Sequence, residues 1–404
     1  MSPALERLLA PARLNGLNLR NRVIKTATFE GMCPNGVPTD GLIRHHAEMA
    51  AGGVGLTTVA YCGVSPDGLT FADQMWMHDG VRPQLQRLTA AVHAEGGAVS
   101  AQLAHCGHFS RNKPRNFPRP RGPSRCVNQY GLLSGLPLGG GMSAADIRKT
   151  VGEYAAAAAF VKDVGFDAIE IHMGHGYLLS QFISPALNKR RDEYGGSLEN
   201  RMRLPLEVLA AVREAVGAEF PLLAKLNLSD GFSSGLQIDE ACRAAQLLEQ
   251  GGLDAIVMSG GVVSRTPMYL FRGTSPLAQM VPLEKNPLQR KAMQWFGAAS
   301  FPDMPYEELY FLDLAQQMRR AVQMPLVYLG GVSSAAGMRR VMDGGYDFIA
   351  MGRALLQDRQ LLQRVREQGE AWVSPCTHCN QCVASMALPG GTRCVLDEPG
   401  AFAI

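Results

Sequence analysis

The chain has 404 residues, 46% hydrophobic and 19% charged, with a formal net charge of +3. That balance describes a globular chain with a substantial core and excludes a nucleic-acid surface, since no basic run is interleaved with aromatic residues. No apolar run reaches the roughly 18 residues needed to span a bilayer, and the start at Met1-Ser2-Pro3-Ala4 lacks a charged-then-apolar leader, so no membrane span and a cytoplasmic location are expected.

In chain order, short apolar runs at 23–26, 56–61, 98–103, 168–172, 222–227, 255–259, 326–329 and 348–351 are predicted strands. Most read as continuous apolar stretches, the pattern of strands covered on both faces. Helical patterns are predicted between them over 44–51, 83–95, 144–164, 198–216, 239–250, 306–322 and 334–344. Ser143 is placed to cap the third of these helices and Asp239 the fifth. Eight strands alternating with helices give an α/β fold, a (βα)8 TIM barrel closed by right-handed crossovers. A doubly wound open sheet is the alternative, and no strand-helix unit carries the G-x-G-x-x-G turn such sheets use.

Two stretches break the rhythm. Residues 111–125 are rich in Arg, Lys and Pro and read as a solvated loop near the barrel mouth, with a phosphate- or CoA-contacting loop as the other option. Residues 260–305 follow the sixth strand without a clear period and carry Met268, Tyr269, Trp295, Phe296 and Phe301. An insertion of that length rises on the catalytic face, either as a lid or apolar docking surface, or as an extra helical hairpin packed on the barrel.

Residues at the carboxyl ends of barrel strands line the active site. His172 ends the predicted fourth strand, and His175 and Tyr177 follow in the turn. Two imidazoles so placed can donate hydrogen bonds to one carbonyl oxygen and stabilise charge that grows on it. A nearby phenol can deliver a proton. A satisfied core histidine is the ordinary reading of a lone His, and it is weak for two of them beside a Tyr. A zinc site is a further reading, with His105 as a third ligand from the third strand end.

The stretch Glu170-Ile-His-Met-Gly-His-Gly-Tyr-Leu-Leu-Ser-Gln-Phe182, continuing through Arg191-Asp-Glu-Tyr-Gly-Gly-Ser-Leu-Glu-Asn-Arg201, resembles the old yellow enzyme family. Further matches in the family's order are Asn21-Arg22-Val23, Gln102-Leu103-Ala104-His105, Gly330-Gly331-Val332 and Met351-Gly352-Arg353. The resemblance covers about residues 8–358 and implies FMN in the barrel mouth, with NAD(P)H as electron donor. By resemblance, Thr26, Ala27 and Thr28 run along the flavin ring, and Tyr61 and Gln102 stand at its pyrimidine edge. Lys225 takes the cationic position beside N1 and O2. Ser259, Gly260, Gly331, Gly352 and Arg353 match the phosphate site. The implied reaction reduces an activated alkene of the enone or enal type, with His172 and His175 on the carbonyl oxygen and Tyr177 as proton donor. Two positions depart from the family. Phe29 stands where many relatives place Thr or Cys, and Lys225 stands where Arg is frequent, keeping the charge but losing the planar fork.

Nine cysteines are an odd count, and four crowd into the last thirty residues as Cys376-x2-Cys379-x2-Cys382-x11-Cys394. Four thiolates suit an iron–sulfur cluster or a tetrahedral zinc site. The string is similar to the cluster motif of the 2,4-dienoyl-CoA reductase and trimethylamine dehydrogenase branch, which implies a 4Fe-4S cluster passing electrons to a second flavin domain. The sequence ends ten residues past Cys394, so that second domain is not expected within it, and the electron partner would be a separate protein. Unligated leftovers of a larger ancestor are the third option. The expected organisation is a barrel over 1–358, including the insertion 260–305, and a cysteine-rich extension over 359–404. The leading expectation is an FMN ene-reductase. Its alternatives are a dienoyl-CoA reductase-like or amine dehydrogenase-like enzyme fed through the cluster, a flavin-free zinc hydrolase or aldolase, and a catalytically silent scaffold. Homo-oligomerisation stays open.

Overall fold

The computed structural model describes residues 1–112, 119–398 and 400–402. Among these, eight parallel strands close into a barrel: β1 Val23–Lys25, β2 Leu56–Gly63, β3 Ala98–Ala104, β4 Ala168–Met173, β5 Leu222–Asn227, β6 Ala255–Ser259, β7 Leu326–Tyr328 and β8 Phe348–Met351. Each pairs with its neighbours in sequence order, and β8 closes on β1. Every residue in these strands is buried. One face meets the barrel interior and the other meets helices, so alternation disappears and the apolar runs are continuous.

The outer ring is built from α1 Asp40–Ala51, α2 Arg82–Ala94, α3 Ala144–Asp163, α4 Arg203–Val216, α5 Ile238–Gln250, α6 Leu312–Ala321, α7 Ala335–Asp343 and α8 Leu361–Gln368. Ser143 caps α3 through a complete capping box with Asp146. Asp239 does not cap α5. The N-cap there is Gln237, and Asp239 lies in the first turn, where its charge meets the positive end of the helix dipole. The predicted helix over 198–216 breaks into Leu198–Arg201 and α4. Pro205 has no N–H to carry the ladder back across the junction. The predicted helix over 306–322 shortens to α6 because Leu309 adopts a left-handed φ of 62°, which no helix interior accepts.

An antiparallel hairpin, Ala12–Leu14 with Leu17–Leu19, plugs the amino end of the barrel. Its Leu14 and Leu19 pack with Leu56, Leu223, Val257 and Phe348 inside. The carboxyl end is covered instead. Arg121–Gly122, Cys126–Val127 and Leu138–Gly141 form a small sheet there, so part of the stretch predicted as loop over 111–125 is strand. Arg121 pairs with Asp146 at the start of α3. Residues 113–118 of that stretch lie outside the described residues. The insertion carries helices Pro267–Phe271, Leu277–Leu283 and Pro287–Ser300, the last two packed as a hairpin. After α8 the chain returns along α7: Ala335 N–H donates to the Trp372 carbonyl, and Trp372 is 1% exposed. The cysteine tail then runs across the mouth. Thr392 donates to the Glu30 carbonyl from its N–H and to the Phe29 carbonyl from its hydroxyl, both at 2.7 Å.

Candidate active site

Barrel register assembles the site. Gln102 on β3 pairs with Glu170 on β4, and His172 on β4 pairs with Lys225 on β5. Residues two apart on a strand share a face, so Glu170 and His172 point the same way. Glu170 Oε1 accepts from Gln102 Nε2 at 2.6 Å and lies 3.0 Å from Lys225 Nζ. Lys225 Nζ also donates to Thr26 Oγ1 at 3.1 Å, which ties β5 to the end of β1. Lys225 is 1% exposed, and burial pushes its pKa down while Glu170 opposes the shift. A buried carboxylate therefore holds the cation and the amide in place from below.

Past β4 the chain turns sharply. His175 has φ 61° and Gly176 φ 80°, so a non-glycine residue is held in the left-handed region at the centre of the site. Asn227 Oδ1 accepts from the His175 N–H at 3.0 Å, and His175 Nε2 lies 2.8 Å from Ser259 Oγ. The His172 ring stands 5.0 Å from His175 and 4.7 Å from Tyr177 between centroids. Burial holds the His172 imidazole well below its ordinary range, with His175 and Lys225 adding to it. Burial and Lys225 bring His175 to about 3. Burial, with Tyr61 beside it, pushes the Tyr177 phenol up. At neutral pH the site thus presents two uncharged imidazoles and one protonated phenol.

His105 does not join them. Its Nδ1 accepts from the Gly107 N–H, and the ring turns away to Asp67 and Glu153, whose ligand atoms lie within 4.8 Å. The zinc trio of His105, His172 and His175 is not formed, because His105 faces α3 while the other two face the mouth. The Asp67–Glu153 side of that cluster is already bridged by Lys149.

His172, His175 and Tyr177 open into a cavity of about 1450 Å³ at the carboxyl end of the barrel. Thr26, Ala27, Thr28, Tyr61, Gln102, Lys225 and Ser259 line it, as do Gly331, Gly352 and Arg353. Gly260 does not line it: a Cβ there would press on Phe311 and Tyr269. The lining fits FMN. Thr28 Oγ1 is buried with no protein partner, and Gly331 holds φ 75°, turning backbone between β7 and α7 toward the cavity. Glycine turns after the last two strands suit a phosphate. Ser259 reaches His175 rather than standing free for a phosphate. Arg353 Nη1 donates to the Arg272 carbonyl and to Asn380 Oδ1, so it also ties the insertion to the tail.

One wall is aromatic, and Phe71, Phe109 and Tyr130 in it carry no motif that marks them in the sequence. Phe29 packs edge-on against Phe71 at 4.7 Å and tilts on Tyr61 at 5.3 Å. Phe109 stacks on Tyr130 at 4.5 Å and meets Tyr177 edge-on at 6.0 Å. Phe109 stands four residues past the Gln102–His105 motif, a proximity that could have flagged it. The insertion contributes Met280, Leu283 and Met293 to the same cavity, so it is a helical hairpin and a wall of the mouth at once.

Cys382 also lines the cavity, and Cys376, Cys379 and Cys394 stand close enough to act on its charge. Burial raises the Cys382 thiol to about 12. Among the described residues, the His, Cys and carboxylate trios with ligand atoms within 4.8 Å are Glu30–His45–His46 and Asp67–His105–Glu153. No three of the four tail sulfurs lie that close to one another.

No helix among the described residues is long and apolar enough to cross a membrane. The chain is 43% identical over 394 residues to a 4,4'-dithiodibutanoate disulfide reductase of Rhodococcus erythropolis, covering 97% of this chain and 95% of that one. It spans about half the length of several other curated relatives it matches. The solved 2-naphthoyl-CoA reductase bound to 2-naphthoyl-CoA superposes at a TM-score of 0.81 and 23% identity, over 99% of this chain and 58% of that one. The old yellow enzyme homologue of Zymomonas mobilis gives 0.70 at 22% identity, over 98% of both chains. The profile of the NADH:flavin oxidoreductase / NADH oxidase family matches residues 7–265, which spans β1 through β6 and every strand end that carries His172, His175 and Lys225. The chain belongs to that family, as an FMN-dependent oxidoreductase of the old yellow enzyme type built on a (βα)8 barrel.

Proposed function

We propose that the protein reduces small electrophilic acceptors, activated alkenes conjugated to a carbonyl first among them, with electrons drawn from NAD(P)H. The observation that carries this reading is the convergence of His172, His175 and Tyr177 beside Gln102, Lys225 and Thr26 in one cavity. FMN bound there supplies a two-electron carrier between nicotinamide and acceptor. His172 and His175 are neutral donors to the acceptor's carbonyl oxygen. Tyr177 keeps its proton at Oη for the α-carbon, and its raised pKa keeps that proton in place until a carbanion demands it. Lys225 would set its positive charge against a flavin held in the cavity, and Glu170 aims it. The aromatic wall and the insertion exclude water.

A second acceptor class is favoured by the 43% identity, over nearly the whole chain, to a disulfide reductase. An organic disulfide taking two electrons and one proton gives one thiolate and one thiol, and Tyr177 can supply that proton. Cys106 packs against Tyr177 but does not line the cavity, and burial lifts its thiol to about 12. Exchange onto Cys106 is therefore not part of this reading.

The Cys376-x2-Cys379-x2-Cys382-x11-Cys394 string, similar to the cluster motif of the 2,4-dienoyl-CoA reductase and trimethylamine dehydrogenase branch, supports a 4Fe-4S centre held by these four thiolates. Such a centre would offer electrons a second route, to a partner protein.

Anaerobic stopped-flow tests the reading. Reduced enzyme is mixed with 2-cyclohexenone or with 4,4'-dithiodibutanoate. Tyr177→Phe is expected to leave reduction by NAD(P)H intact and to slow reoxidation by the enone by about 10²-fold or more. Reoxidation by enone that is equally fast in Tyr177→Phe and wild type refutes the assigned role of Tyr177.

A further inference from the structure

Arg111 stands in the cavity wall with no part in the chemistry described above. Its N–H donates to the Thr70 carbonyl at 2.9 Å, which fixes the backbone. Its guanidinium lies over two rings, 5.3 Å from the centre of Tyr130 and 5.9 Å from that of Phe71. Tyr130 stacks on Phe109, and Phe109 meets Tyr177. The cation is therefore two rings out from the proton donor, on the same wall.

A carboxylate already occupies it. Arg111 Nη1 donates to Glu284 Oε2 at 3.2 Å. Glu284 sits between the two hairpin helices of the insertion, its other oxygen accepting from the Asn286 N–H at 2.9 Å. The next residue but one, Asn286, reaches back to the Leu133 carbonyl. The insertion thus lays a tethered carboxylate across the mouth, onto a cation held flat by aromatic faces. The Arg111 side chain is 35% exposed, so water competes for the pair and the tether is weakly held. A guanidinium is a planar fork matched to carboxylate geometry, so a mobile carboxylate can take the place of Glu284.

We propose that Arg111 anchors the carboxylate of an anionic acceptor, and that Glu284 is its built-in competitor, leaving the fork as substrate enters. The enzyme's preferred acceptors would then be acids whose reducible group lies a short apolar chain away from the carboxylate. This rests on the reading that the acceptor reacts beside Tyr177.

The two residues should act with opposite signs, which a simple latch would not do. The FMN-loaded enzyme is titrated with hexanoate and with hexanamide, following the flavin absorption spectrum and the heat of binding. Wild type is expected to bind hexanoate about tenfold more tightly than hexanamide, the worth of one charge-assisted hydrogen bond. Arg111→Gln erases that preference and Arg111→Lys keeps part of it. Glu284→Gln tightens hexanoate and leaves hexanamide unchanged. In turnover, Arg111→Gln raises KM for a carboxylate-bearing acceptor without lowering kcat, and leaves its neutral amide alone. The proposal is overturned if wild type binds both ligands equally or if Glu284→Gln weakens hexanoate. It is also overturned if Arg111→Gln raises KM for NADPH instead of the acid. Hexanoate bound through Arg111 in an enzyme that reduces neither enone nor disulfide would sink the reductase reading and leave the anchor standing.

Discussion

Replacing Glu170 with Gln tests the buried support of the site. The change keeps the shape and an acceptor for Gln102 but removes the charge that faces Lys225. The Glu170 and Lys225 side chains are 3% and 1% exposed and lie 3.0 Å apart. At an effective dielectric constant of about 20, two unit charges at that distance attract by about 5 kcal/mol before desolvation is counted. Removing one partner of a buried pair strands the other, and such losses run to about 3–5 kcal/mol. Glu170→Gln should therefore destabilise the apoprotein by about 3 kcal/mol in urea unfolding followed by circular dichroism. The loss should shrink when FMN is added, because the ring's N1 and O2 edge, which the family resemblance sets beside Lys225, would give the stranded ammonium hydrogen-bond acceptors. Unfolding free energies of apoprotein and holoprotein both within about 1 kcal/mol of wild type would show that Glu170 does not hold Lys225 as the distances imply.

Burial depresses eight imidazoles, those of His45, His46, His78, His105, His108, His172, His175 and His378. Unfolded, each takes a proton below about pH 6.5, whereas folded His105 and His108 wait until about 4. The unfolded state binds more protons across that window, so stability is full above about pH 6.5 and falls as pH drops, by up to ~2 kcal/mol per histidine at pH 5. A melting temperature flat from pH 7 to 5 contradicts this. Gly331→Ala puts a Cβ 2.7 Å from Tyr310 at φ 75°, and should cost roughly 1–2 kcal/mol in stability and weaken FMN retention on a desalting column. Iron and acid-labile sulfide, measured on anaerobically purified protein, should approach four of each per chain and fall together in Cys382→Ser; stoichiometric zinc without iron refutes the cluster.

The barrel was legible because double burial leaves a mark that a short window can read. All eight predicted strands occur, each within two residues of its predicted ends. The three residues assigned to chemistry on β4 and its turn do converge, since one strand end carries them all. What failed were readings that needed backbone detail or distant partners. Leu309 carries no composition cue that it will turn left-handed, so α6 was predicted six residues too early at its start. Asp239 has a capping side chain, but the backbone enters the helix two residues sooner. His105 ends a strand as His172 does, yet faces α3, and one strand's register cannot tell those directions apart. In the sequence Glu170 is one residue of a motif. Its role lies in partners 68 and 55 positions away along the chain, which no local period encodes.

The grip of Thr392 on Phe29 and Glu30 has a thermodynamic meaning. The clasped backbone is the direct continuation of Thr26-Ala27-Thr28, and Gly31 is pressed against the Met386 carbonyl of the tail. Docking the tail and ordering that loop are one event. Any group that gathers the four thiols therefore lends part of its binding free energy to the floor of the cavity, and a filled cavity returns the same amount to the thiols. Two centres so linked would be gained and lost together, and chelation at the far end of the chain would read out as a paler protein.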